Sequence, residues 1–313
     1  MIKVYKNYND LKFAQGTVLT VGTFDGVHKG HQIILKRLLE IGKKDNLIPI
    51  VLTIEPHPQL VLNKPDRNPI KLLTTIEERI IIFEKFGIEN LFIIPFNYEF
   101  SQTPPEVFIK DYLVEKFSMK KILIGHDHMF GKNREGNTDL LNQLGATLNF
   151  EVEKIDAFIE NDTTISSTKI RTALMNKELD TANKMLGYSY LINGIVDKGE
   201  GRGRTLGYPT ANIRVENINK QLPGVGVYFV SSEINGKTYN GMANLGTRPT
   251  FSNNNRIFLE VNYFDLNLDL YNLNLSVSFL KFVRDELKFK TVGELINQIK
   301  SDELHCRELI KKF

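Results

Sequence analysis

Cysteine is nearly absent: Cys306 is the only one among 313 residues. No disulfide can close within the chain, and no cage of thiolates can hold a metal. Net charge is small too, with 40 Lys and Arg against 37 Asp and Glu, a formal balance of +3. A general nucleic-acid binder shows a larger basic excess, so no nucleic-acid partner is expected, while a local phosphate site stays open. No apolar run reaches the roughly 18 residues that span a bilayer, so no membrane partner is expected either. The opening MIKVYKNYNDLKF mixes charges among its apolar residues, unlike a secretory leader, and a cytoplasmic protein is expected. Internal repeats and low-complexity tracts are missing as well. What remains, 42% hydrophobic and 25% charged, is the composition of a globular chain long enough for two domains.

The first half alternates strand and helix patterns. Short apolar runs at 18–21, 48–54, 91–95, 121–125 and 148–155 read as strands. Helical spacing runs from His31 to Ile41 with Gly42 as its stop, and from a Thr74/Glu77 capping box to Gly87. Thr103, Pro104 and Glu106 fit the N-cap, N1 and N3 positions of another helix. Such alternation predicts a parallel sheet flanked by helices, whose ligands bind beyond the carboxyl ends of the strands. The loops there are GTFDGVHKGH (22–31), EPHP (55–58) and GHDHMFGKNREG (125–136). A helical stretch from Ser167 to Leu186 follows. After Gly187 the segments become short, alternating and separated by turn pairs such as Asn235-Gly236, which predicts an antiparallel sheet or barrel. A last amphipathic helix starts near Val292.

Several stretches carry chemistry. In the first loop, Gly22 and Gly26 let backbone approach a ligand, and Gly30 leaves the start of the next helix uncluttered. His28 and His31, at i and i+3, share one side of the first helical turn. A helix N-terminus offers free N–H groups and a positive dipole end, so two imidazoles there suit a nucleotide phosphate. In ISSTKIR (165–171), Ser166 or Ser167 can cap a helix while Arg171 reaches a phosphate with a bidentate fork. In GIVDKGEGRGRTLGYPTANI (194–213), Gly199, Gly201 and Gly203 allow a loop to fold over phosphates. Thr210 and Asn212, two apart on a strand, offer hard oxygen ligands for Mg²⁺. Each has a bland alternative: surface histidines, a capping serine, a flexible hairpin.

HxGH after an N-terminal strand resembles the nucleotidyltransferase superfamily, and with EPHP and GHDHMFGKNREG it resembles the adenylyltransferase module of bacterial bifunctional riboflavin kinase/FAD synthetases. The resemblance implies ATP contacts from Gly22, Phe24, Asp25, Gly26, His28, His31, Asp127, Ser166, Thr168 and Arg171. It places Asp127 at the nucleotide and metal edge, and His57 and Pro58 on the flavin side. His28, His31 and Arg171 are the catalytic candidates of this half. At His128-Met129 the sequence departs from the Phe-Arg that the family usually carries.

The glycine-rich string through PTAN resembles the riboflavin kinase signature. LPGVGVYFV (222–230), GMANLGTRPTF (241–251), LEVNYFD (259–265) and FVRDELKF (282–289) follow in the family's order. The resemblance implies Glu260 as the general base for the ribityl 5′-hydroxyl; should Glu260 prove not to be the base, Asp265 and Glu286 are the next carboxylates to test. Gly199 and Arg204 fall near the ATP phosphates, Thr210 and Asn212 on Mg²⁺, Glu260 near the flavin, and Arg284 near the flavin or the phosphate-covering loop.

The expectation is therefore an α/β protein: a Rossmann-like nucleotidyltransferase domain at 1–186 with a parallel sheet, then an antiparallel β-barrel kinase domain at 187–313 with a C-terminal helix. Its substrates would be riboflavin, FMN and ATP, with Mg²⁺ as the metal and FAD as the product. Adenylyl transfer to FMN starts from a phosphate already anionic and needs no base, whereas phosphorylating a hydroxyl does. Three other readings compete with this one. One is a kinase whose first half has decayed around His128-Met129. Another is a flavin or nucleotide sensor, which has no need of a base. The third is a metal hydrolase, since five of six histidines fall near the loops, but no HExxH or comparable motif is present.

Overall fold

Strand and helix alternation in the first half builds a six-stranded sheet, parallel throughout, in the order β1-β4-β3-β2-β5-β6. A computed structural model describes residues 1–11, 13, 15–62, 69–126, 128–156, 158–160, 163–199, 202–248 and 256–311. The strands are β1 (Lys3–Tyr5), β2 (Thr17–Gly22), β3 (Ile48–Glu55), β4 (Asn90–Pro95), β5 (Met119–Gly125) and β6 (Glu151–Ile155). Around them lie α1 (Lys29–Lys44), α2 (Pro58–Val61), α3 (Ile76–Lys85), α4 (Tyr98–Ser101), α5 (Pro105–Val107), α6 (Glu115–Phe117) and α7 (Thr138–Leu148), with a π-helical segment at Phe108–Val114. A short hairpin of β7 (Ile159–Glu160) and β8 (Thr163–Thr164) closes this half.

Helix cover explains why the central strands read as nearly unbroken apolar runs. Helix α1 buries Leu35, Leu38 and Ile41 next to β2 and β3. Phe108, Ile109, Leu113, Phe117 and Leu141 join Leu19, Ile50, Phe92 and Ile122 in one cluster. The chain runs from β2 outward through β3 to β4, then returns to place β5 on the other side of β2. The crevice beyond the carboxyl ends of β2 and β5 is therefore the switch point, where such sheets bind ligands.

Several local expectations shift. Helix α1 extends from Lys29 to Lys44, so Gly42 is an interior residue and not a stop. A Cβ there would lie 2.7 Å from Pro49 Cγ, so glycine is what lets α1 lie close on β3. The capping box is Thr75 with Glu78, one residue later than expected, and Thr74 serves elsewhere. The helix expected at Thr103 starts instead at Pro105, with Pro104 as an N-cap that makes no side-chain bond. The strand expected from Leu148 begins at Glu151, because α7 runs through Leu148 and ends on left-handed Asn149 (φ 60°).

Packing divides the chain into two compact units, Met1–Ser167 and Thr168–Phe313. The stretch up to Leu186 is two helices, α8 (Ser167–Met175) and α9 (Leu179–Leu186), broken near left-handed Lys177 (φ 66°). In the second unit α9 is tied to the sheet: Asn183 Nδ2 donates to Phe279 O (2.9 Å), and Lys281 pairs with Asp180 (2.7 Å).

The second unit holds β9 (Tyr190–Asp197), α10 (Arg202–Thr205), β10 (Ala211–Arg214), β11 (Gly226–Ile234), β12 (Lys237–Arg248), β13 (Arg256–Tyr263), β14 (Asn274–Arg284) and α11 (Val292–Ile310). Its strands close an antiparallel barrel in the order β10-β13-β12-β11-β14-β9. Ala211, Ile213, Ala243, Leu245, Leu259 and Val261 are buried at alternate positions and fill the interior. On the outer face, Phe229, Met242 and Phe264 pack with Cys306 and Leu309 of α11. Burial pushes the Cys306 thiol up to about 12, which makes it an inert core residue. Among the described residues no helix is long and apolar enough to cross a membrane.

Candidate functional site

At the end of β2 the chain passes through three left-handed residues, Phe24 (φ 48°), Gly26 (φ 82°) and Val27 (φ 36°). Two of these are not glycine, a strained conformation that persists only where neighbours hold it. They do. The Asp25 carboxylate accepts from Thr74 N–H (3.1 Å), and Gly26 N–H donates to Thr74 Oγ1 (3.0 Å). The Ser167 hydroxyl donates to Asp25 O (2.9 Å). Arg79 donates to Thr23 O (2.7 Å).

This brace delivers the loop to the first turn of α1. His28 is the N-cap residue but makes no side-chain cap, so the turn's N–H groups are not taken by it. Its ring stacks on that of His31, with centroids 3.8 Å apart and planes 16° apart, and the edge of Phe24 meets His31 at 5.2 Å. The shared face expected from the i, i+3 spacing is thus a stacked pair. A Cβ on Gly30 would press on the His28 ring at 3.2 Å. Burial, and next the neighbouring His28, hold the His31 imidazole well below its usual range, so it is neutral at physiological pH. Its Nδ1 is buried with no hydrogen-bond partner among the described residues.

Of the other first-unit candidates, Gly22 sits beside the Phe24 ring. His57 is the N-cap of α2, its Nδ1 accepting from Gln59 N–H (3.2 Å), with Pro58 next to it. That bond places the proton of the neutral ring on Nε2. His128 stacks on Phe130 (5.7 Å) and lies beside Val21, Phe108 and Ile122, while Met129 is exposed. Asp127 lies outside the described residues. Ser166 immediately precedes α8; Thr168 and Arg171, three apart on that helix, fall in the second unit.

In the barrel, strand register does the assembly. Asn212 on β10 lies directly opposite Glu260 on β13, and Glu260 lies opposite Asn244 on β12. Side chains directly opposite in a sheet share a face with Cβ atoms about 5 Å apart. The row continues from Asn212 to Asp197 on β9, and from Asn244 through Val227 to Arg284. It lies on the outer face, because Leu259 and Val261 on either side of Glu260 are buried inside. A Cβ on Gly199 would collide with the Asn212 amide, and one on Gly203 would press on Tyr208 O and Thr210 Oγ1. Glycine at these positions is what lets the loop backbone lie against Thr210 and Asn212. Pro209 O accepts from Asn262 Nδ2 (2.7 Å), which fixes the entry to β10. Arg204 is exposed on α10.

Arg284 is engaged by a carboxylate. Its Nε and Nη2 fork onto Asp302 of α11 (2.6–3.0 Å), and Gln298 donates to the same carboxylate (2.9 Å). It fastens α11 to the barrel. Asp265 accepts twice from Arg307 (2.8 and 2.9 Å), which holds its carboxyl below the usual range and makes it a poor substitute base. Glu286 lies against Gly246.

Sequence reasoning missed Arg79, Asn244 and Asp302. Arg79 shares a helix face with Ile82 and Phe83, and a charge on an apolar face was a visible signal. Asn244 and Asp302 had no such mark, since register and helix docking are long-range facts. Among the described residues no group of three or more His, Cys, Asp or Glu is placed to hold a metal.

Family models described as FAD synthetase and riboflavin kinase match residues 10–169 and 186–310. The bifunctional riboflavin kinase/FMN adenylyltransferase of Listeria monocytogenes is 38% identical over 297 residues, covering 95% of this chain and 93% of that protein. The protein of the same name from Escherichia coli K12 is 37% identical over 313 residues, covering 98% and 97%. A crystal structure described as a macrolide-efflux protein from Streptococcus pneumoniae superposes with a TM-score of 0.86 at 32% identity, over 98% of both chains.

Proposed function

The chain belongs to the bifunctional riboflavin kinase/FMN adenylyltransferase family, and from that premise we propose how its residues divide the two reactions. It phosphorylates riboflavin with ATP to give FMN and ADP, then joins FMN to the AMP portion of a second ATP, giving FAD and pyrophosphate. We assign adenylyl transfer to 1–186 and phosphorylation to 187–313, and place the protein in the cytoplasm, where ATP is supplied.

The kinase assignment is carried by the cross-strand row Asn212–Glu260–Asn244. The ribityl hydroxyl must lose its proton as it attacks the γ-phosphorus, and Glu260 is the carboxylate in that row that accepts it. Asn212 and Asn244 orient it from both sides. The glycine loop at Gly199 and Gly203 covers the phosphates, with Arg204 beside them. Thr210 and Asn212 fit Mg²⁺: they are hard oxygen donors, and the space above them is closed to any side chain from the loop. When bound, Mg²⁺ would neutralise charge on the phosphates. Arg284 serves the flavin side by holding α11 against this face.

In the first unit the nucleophile is a phosphate oxygen of FMN, already anionic. His28 and His31, with the first turn of α1, stabilise the charge that grows at the α-phosphate, helped by Ser166. Gly22, Phe24, Asp25 and Gly26 shape the loop, and His57 and Pro58 line the flavin side. No base is required. Accordingly Asp25 and Glu55 are bonded to Thr74 and Arg79, where they serve structure.

Incubating the protein with riboflavin, ATP and Mg²⁺ and separating the products tests the division. FMN should appear first and FAD after it. FMN alone would overturn the assignment of the first unit.

A further inference from the structure

Arg79 is 2% exposed in the first unit. Helix α3 begins at the capping box of Thr75 and Glu78 and points this guanidinium at the ends of two strands. Nη1 donates to Thr23 O (2.7 Å) and Thr53 Oγ1 (2.8 Å), and at 3.4 Å to Ile54 O; Nη2 pairs with Glu55. Thr23 opens the left-handed loop that leads to His28 and His31. Glu55 opens the Glu-Pro-His-Pro segment that carries His57 and Pro58. One planar group therefore holds the backbone of one loop and a side chain of the other.

Packing alone does not call for a charge here. Ile82 and Phe83 occupy the same helix face, and an apolar neighbour would fill it without desolvating a cation. What the guanidinium adds is direction: several donors fixed in one plane, which neither an aliphatic chain nor a lysine ammonium reproduces. Adenylyl transfer depends on the distance between two phosphates that arrive from different loops, and a misplacement of about 1 Å can cost roughly 10²-fold in rate.

We propose that Arg79 is a positioning residue for adenylyl transfer, bracing the histidine loop through Thr23 and the flavin-side loop through Glu55. This inference rests on assigning adenylyl transfer to the first unit. Arg79→Lys and Glu55→Gln are to be assayed in the full chain, well below their melting temperatures, with FMN and ATP varied separately. Arg79→Lys should lower kcat for FAD formation by roughly 10²-fold, with KM for ATP within about threefold of the parent. Glu55→Gln should change kcat in the same direction by less. Riboflavin phosphorylation by the same preparations should keep the parent rate.

A residue that only packs would lower the melting temperature and leave kcat of the folded enzyme alone. A kcat within about threefold of the parent in both variants overturns the inference. Should Arg79→Lys fail to fold, Glu55→Gln decides by the same criterion. An unaltered protein that makes FMN but no FAD overturns the reading of the first unit, and this inference with it.

Discussion

On our assignment the two units handle phosphates by different means, and the nucleophile explains the difference. The parallel sheet presents a strained loop, a helix N-terminus and two stacked imidazoles at its switch point. Its nearby described carboxylates, Asp25 and Glu55, are bonded to Thr74 and Arg79. The barrel presents a carboxylate with an asparagine on either side, in a row set by strand register. On our assignment the first site receives a phosphate that is already charged, while the second must deprotonate an alcohol. A base is needed only where the nucleophile still carries its proton.

Glu260→Gln is the strongest way to break this comparison. It keeps shape and removes the proton acceptor, so riboflavin phosphorylation should fall by about 10²–10⁴. FAD formation from supplied FMN should continue. Parent-rate phosphorylation would move the base elsewhere, and Glu286 becomes the next candidate, since Asp265 is bound to Arg307.

The reciprocal change is His28→Ala or His31→Ala. Loss of one preorganised donor to a growing oxyanion should cost FAD formation on the order of 10²–10³. FMN formation should be unaffected. If both variants make FAD from FMN at the parent rate, the stacked pair is a structural device and the contrast between the units loses its first half.

A smaller effect sharpens the electrostatic side. In the folded protein His31 resists protonation, through burial first and the His28 charge second. Unfolded, it titrates at about 6.5. Below that value the unfolded chain binds a proton that the folded chain refuses, so acid favours unfolding; stability should rise as pH increases from about 5 to about 7. His31→Gln should flatten that rise in thermal melts across the range. An unchanged slope would show that other groups set it.

Some of this was legible in the chain without coordinates, for a definite reason. Hydrophobic periodicity is local, so the change from alternating strands and helices to short antiparallel strands near Gly187 showed two architectures. Turn and cap chemistry is local as well, which is why His28 and His31 were placed on one face from their spacing alone. Local reading also had errors of a consistent kind. Gly42 reads as a helix stop until the close approach of Pro49 is seen. Thr74 reads as a cap until it proves to pin Asp25 and Gly26 across almost fifty residues.

What the sequence determined by itself was the inventory: two folds, and the candidate residues that our assignment uses for phosphate and as base. Tertiary structure decided which residues meet. Asn244 comes beside Glu260 only because β12 and β13 pair in one register, and a slip of one residue would turn the row to the other face. Arg79 joins Thr23 and Glu55 only because α3 docks under the ends of β2 and β3. Such contacts bridge 16 to 56 positions, and no local propensity records them, because their energy depends on partners that the fold alone brings within reach.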